Sequence, residues 1–211
     1  MAKTIKPRAL SGKTTQEVWP WEAPHRELAR QAAGEGIVLL KNEGVLPMKK
    51  DSKIALYGAG ASRTVKGGTG SGDVNERYSV TVAEGLKDAG FQLTTEDWIQ
   101  EFEDQYMKAK YAWRDEIMEK YKKTGDPRKF FAVYSTTPFV VPVGSPAAKT
   151  DTDTAVFILS RVAGEGADRQ RGEGDYILRP QEHDLLKGIC GLYEKVIVVV
   201  NAGGEIGRAH V

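Results

Sequence analysis

Three short apolar runs constrain this chain more than any other feature. They are "KIALYGAG" (53–60), "AVFILSRV" (155–162) and "VIVVVNAGG" (196–204). Each is nearly continuous in apolar residues, as a strand is when both of its faces are covered. Each also runs into glycine or a Gly-Glu-Gly stretch. Between them lie segments with helical spacing. "SVTVAEGLKDAG" places Val82, Leu86 and Ala89 on one face and offers Gly90 as a stop. "EDWIQEFEDQYMKAKYAWRDEIMEKYKK" reads as a long charged amphipathic helix closed by "TGDP". "RPQEHDLLKGICGLYEK" reads as a helix before the last run, and "FQL" (91–93) as a further short strand. Strands alternating with helices predict an α/β fold, a mostly parallel sheet sandwiched by helices. On such sheets ligands bind beyond the carboxyl ends of the strands, where these glycine-rich sequences fall.

Upstream, "HRELARQAAGEGIVLLKNEGVLPM" is expected to be one helix with apolar positions Leu28, Ala32, Ile37 and Leu40, closed by "KNEG" and Pro47. The single cysteine, Cys190, falls at helical apolar spacing and is expected to be a buried small hydrophobe. A lone cysteine cannot form an intramolecular disulfide, which is compatible with a reducing compartment. With a net charge of +1, nothing electrostatic calls for nucleic acid or an anionic membrane as partner. No apolar run approaches the roughly 20 residues of a membrane helix. No secretory signal is visible at the N-terminus, so a cytoplasmic location is expected.

The glycine motifs are individually weak. "GAGASR" follows a strand, as a dinucleotide fingerprint would, but position 63 is arginine where the third glycine belongs. "GGTGSGD" is not followed by the Gly-Lys-Ser/Thr of a phosphate loop. Either a plain surface loop or a loop whose backbone approaches a ligand would fit, with Ser71 and Asp73 as polar contacts in the second case. Glu165 and Glu173 each stand between glycines. Taken alone, Glu165 could be solvated charge, a partner of Arg161 or Arg169, or a proton donor. Asp168 and Arg169 suit a local ion pair. His25 and His183 sit on exposed-looking helical stretches, and no spacing among histidines, cysteine and acids would hold a metal. Trp19 and Trp21 in "VWPWEAP" suit either a sugar platform or an anchor for a terminal segment.

Together, "AAGEGIVLLKNEGVLPM", "KIALYGAGA", "GGTGSGD", "FILSRVAGEGADR", "GDYIL" and "KVIVVVNAGG" resemble, in this order, the β-glucosidase branch of glycoside hydrolase family 3. The resemblance spans residues 17–204 and is far more specific than any one motif. Members of that family pair a (β/α)₈-type barrel with an α/β sandwich domain, and this chain resembles the sandwich alone. The resemblance implies that Glu165 is the general acid/base, while an aspartate nucleophile lies in the missing barrel domain of the same chain. It also implies Ser71 as a substrate contact; Asp73, two residues on, is kept as a second expected contact from the loop reading. Position 167 is alanine where relatives often carry tyrosine, which bears on loop packing. No metal or organic cofactor is implied.

The expected organisation is an N-terminal extension over 1–24, a partial sandwich domain carrying the acid/base loop over 25–204, and an artificial tail over 205–211. That tail, "EIGRAHV", reads like one frame of a sequencing adapter. The order of domains is expected to be inverted, sandwich first. The expected activity is hydrolysis of terminal non-reducing β-D-glucosyl residues by a retaining enzyme, with the fragment alone inactive. A non-catalytic carbohydrate-binding or interaction module of the same fold is the alternative. Glu173 is left as loop charge.

Overall fold

The computed structural model describes residues 17–67, 79–162 and 170–202. Two units divide between Lys41 and Asn42. In the first, α1 spans Glu22–Gly36 and buries none of its residues, with the Trp21 ring 5.4 Å from that of His25. The expected helix through Pro47 stops at Gly36. Ile37 is already extended, at φ −78° and ψ 127°. The reason is local. Gly34 and Gly36 weaken the helix, two β-branched residues follow, and four consecutive apolar residues have no helical period. Ile37, Val38, Leu39 and Leu40 are accordingly all exposed.

The second unit carries β1 (Lys53–Tyr57), α2 (Val82–Asp88), β2 (Gln92–Leu93), α3 (Glu96–Thr124), α4 (Phe130–Ser135), β3 (Thr154–Arg161), α5 (Pro180–Leu192) and β4 (Lys195–Ala202). The strands form one sheet in the order β2-β1-β3-β4, every pair parallel. Alternate residues of β1 and β3 serve opposite faces. Ala55, Tyr57, Phe157 and Leu159 meet Leu185 and Ile189 of α5. Ile54, Leu56, Val156 and Ile158 meet Val82 and Leu86 of α2. Helices therefore cover both faces, and burial on both sides is what made these strands continuously apolar.

The helix ends follow sequence chemistry. "TVAE" gives α2 a capping box: the Thr81 hydroxyl accepts from the Glu84 amide, and the Glu84 carboxylate accepts from the Thr81 amide at 2.7 Å. Gly125 ends α3 in the left-handed region at φ +63°. On α5 the inward stripe is Glu182, Leu185 and Ile189. Cys190 comes one residue after that stripe, a turn of about 100° on the helix, and is exposed rather than buried. The expectation of a buried cysteine is thereby corrected.

Candidate functional site

Because β1, β3 and β4 are parallel, the segments that follow them leave from the same edge of the sheet. The first leads to Ser71 and Asp73. The second carries Glu165, Asp168 and Arg169. All five residues lie outside the described residues; the described backbone that enters and leaves their loops frames the site.

At the end of β1, Gly58 has φ +91°, and a Cβ there would stand 2.3 Å from the Ile158 carbonyl oxygen. A Cβ on Gly60 would meet the Ser160 hydroxyl at 2.2 Å. The glycines of "GAGAS" let a short 3₁₀ turn, Ala59–Ala61, lie directly on β3. Arg63, at the position that breaks the dinucleotide pattern, turns instead to α3. Its Nε donates to Glu103 Oε1 at 3.0 Å, and its guanidinium lies 4.3 Å from the centre of the Tyr106 ring. These glycines serve strand packing, not a pyrophosphate.

Both ends of the Ser71 loop are tied down. Asn201, near the end of β4, accepts from the Val65 amide at 2.7 Å and donates to the Val65 carbonyl at 3.0 Å. The Ser160 hydroxyl lies 3.1 Å from Asn201 Oδ1. On the return side, the Thr64 hydroxyl accepts from the Val82 amide at 2.9 Å. One amide side chain on β4 thus sets where the segment after β1 departs.

The Glu165 loop is flanked by a buried ionic cluster. Arg161, the last residue of β3, is 6% exposed and Glu182, in the first turn of α5, 5%. Arg161 donates to the two Glu182 carboxylate oxygens at 2.9 and 2.7 Å, and its Nε donates to the Asp175 carbonyl at 2.9 Å. The Glu182 carboxylate also accepts from the Arg179 amide at 2.9 Å and its guanidinium at 3.0 Å. Arg179 in turn donates to the Val141 carbonyl at 2.7 Å. Burial pushes the Glu182 carboxyl up, but the hydrogen bonds from Arg161 and Arg179 outweigh it and hold its pKa below the ordinary glutamate value.

Glu173 is exposed, beside a cleft of about 670 Å³ between Val140–Gly144 and the start of α5. Among the described residues, no cluster of three or more His, Cys, Asp or Glu is placed to hold a metal ion. The sequence offered Arg161 only as a possible partner of Glu165, whereas its described carboxylate partner is Glu182; Arg179, Glu182 and Asn201 were passed over. A signal was present: "SR" puts a charge at the end of a run that is otherwise buried, and "RPQE" puts a glutamate where a helix begins.

Residues 37–209 match the family described as glycosyl hydrolase family 3 C-terminal domain. The chain is 32% identical to beta-glucosidase A of Butyrivibrio fibrisolvens, over 86% of this chain and 23% of that protein. It is 30% identical to a beta-glucosidase of Ruminococcus albus, over 88% of this chain and 18% of that protein. Among solved structures it is similar to beta-glucosidase 3B from Thermotoga neapolitana in complex with glucose. There the TM-score is 0.61 at 32% identity, covering 85% of this chain and 24% of that one. The chain thus spans about a fifth of the length of these relatives.

Proposed function

The chain belongs to glycosyl hydrolase family 3, and on that footing we propose that it is the acid/base-bearing domain of a retaining β-glucosidase. Glu165 is the proton donor and acceptor, and the aspartate nucleophile belongs to a barrel domain of the full-length protein. Ser71 and Asp73 contact the sugar. The observation that carries this reading is topological. β1 and β3 are neighbouring parallel strands, so the Ser71 loop and the Gly-Glu-Gly loop start side by side on the edge where such sheets bind ligands.

The chemistry needs two carboxyl groups about 5–5.5 Å apart. One attacks the anomeric carbon. The other protonates the departing glycosidic oxygen, then takes a proton from the water that releases the sugar. This acid/base is worth on the order of 10²–10⁴-fold in rate. It approaches from the leaving-group side, which suits a carboxylate lent by a second domain on a glycine-flanked loop.

The test is Glu165→Ala in the full-length enzyme. An unactivated alkyl glucoside should lose roughly 10²–10⁴-fold in kcat/KM. An activated dinitrophenyl glucoside, whose leaving oxygen needs no proton, should lose far less. Equal losses on the two substrates would remove Glu165 from the acid/base role.

A further inference from the structure

We infer that Arg161 is a positioning residue for the Glu165 carboxyl, acting through its buried fork on Glu182 and its bond to Asp175. The inference rests on the acid/base reading of Glu165. The described backbone stops at Val162 and resumes at Gln170. Both sides of that stretch converge on one guanidinium. On the near side Arg161 immediately precedes Val162. On the far side the Gln170 amide donates to Asp175 Oδ2 at 2.5 Å, and the Asp175 carbonyl accepts from Arg161 Nε at 2.9 Å. The next turn is closed on itself: Gly174 donates to the Ile177 carbonyl at 2.8 Å, and Ile177 to the Gly172 carbonyl at 2.9 Å.

Stability alone does not explain such a cluster. Burying an ion pair costs desolvation that the attraction often only just offsets, and apolar replacements of similar volume are often no less stable. What apolar side chains cannot do is fix direction. The guanidinium is planar and rigid, and it meets both carboxylate oxygens at once while its Nε holds a third acceptor. Lysine keeps the charge but has no fork. The carboxylate is held as firmly: α5 presents Glu182 from its first turn, and Arg179 binds it from a second side. The two described ends of the loop are therefore fixed through Arg161 to the start of a helix. Displacing a catalytic group by about 1 Å can cost on the order of 10²-fold.

The experiment uses the full-length enzyme with Arg161→Lys, the double variant Arg161→Met/Glu182→Leu, and Glu165→Ala in parallel. Melting temperature is read for each, with kcat/KM on an unactivated alkyl glucoside and on an activated dinitrophenyl glucoside. Arg161→Lys is expected to stay folded and to lose about 10–10²-fold on the alkyl glucoside, with a much smaller loss on the dinitrophenyl glucoside. If Arg161→Lys does not fold, the double variant, which removes both charges together, is expected to show the same selectivity. Unchanged activity, or equal losses on both substrates, in the variant that folds overturns the inference; so does failure of both variants to fold, which makes the cluster structural. If Glu165→Ala discriminates between leaving groups and the Arg161 variants do not, positioning fails while the acid/base reading stands. If Glu165→Ala itself fails to discriminate, that reading falls, and the inference with it.

Discussion

The hydroxyl of Thr95 accepts from the Leu56 amide and donates to the Leu56 carbonyl, 2.8 Å in each case. β2 is only two residues long and pairs with Lys53 and Ile54, so it ends before it can serve Leu56. A single side chain takes the place of the strand. Thr95→Val keeps the shape and removes both bonds, leaving a buried N–H and a buried C=O unpaired. Such groups cost roughly 1–3 kcal/mol each, so a loss of about 2–4 kcal/mol is expected in urea denaturation. Thr95→Ser keeps the hydroxyl and should lose about 1 kcal/mol. Equal effects of the two substitutions would show that the hydroxyl does not matter.

Gly58 is fixed by backbone and not by solvent. Its φ is +91°, and an added Cβ would press on the Ile158 main chain, which cannot swing away as a side chain can. Gly58→Ala should cost about 2–4 kcal/mol from the left-handed conformation and the forced shift together. Gly34, in α1, has nothing within 4 Å of such a Cβ. Gly34→Ala is expected to be neutral or to stabilise by up to about 1 kcal/mol. The pair of substitutions, compared by thermal melting, distinguishes a packing glycine from a tolerated one.

What could be read from the sequence follows the same physics. β1 and β3 were legible because an apolar run bounded by glycines records burial on both faces; β4 was legible as the same kind of run, although its valines are partly exposed among the described residues. α2 was legible because its Thr-x-x-Glu cap and its period agree. α1 was read too long, since Ile37 and Leu40 happen to fit a helical spacing inside an unbroken apolar run. Cys190 was misplaced by a single step around α5. The two members of the Arg161–Glu182 pair left separate hints, a charge ending a buried run and a glutamate opening a helix, but their pairing could not be read: the partners are separated by 21 positions, and only the fold brings β3's end to α5's start. The loops that bear Ser71, Asp73 and Glu165 were located because glycine follows a strand, whereas the roles of those residues came from the family resemblance.

Glu182 should make stability depend on pH in the acid range. Its folded pKa is depressed, so its contribution is fully present above the unfolded glutamate value of about 4.3 and disappears as pH falls through the lower, folded value. Glu182→Gln leaves Arg161 buried without its counter-charge, which costs about 3–5 kcal/mol at pH 7. Below pH of about 4.3 the unfolded chain takes up a proton that the folded carboxylate still excludes, so the gap between the two proteins should narrow as pH falls toward the folded value. Urea midpoints measured from pH 7 down to pH 3 check this. A gap that stays constant over that range would mean that the Glu182 charge does not stabilise the fold.

β4 has β3 as its only strand neighbour among the described residues, yet Val198, Val199 and Val200 are 47, 39 and 38% exposed. Three consecutive β-branched residues beside an unpaired edge form a template for another strand. The 211-residue chain on its own is therefore expected to self-associate at rising concentration. Val199→Lys should reduce this association, because a charge on an edge strand disfavours edge-to-edge pairing. Val199 is 39% exposed, so the fold should tolerate the charge. Sedimentation velocity over a hundredfold concentration range, on both proteins, is the measurement. A native chain that stays monodisperse and melts cooperatively would show that this edge is already protected.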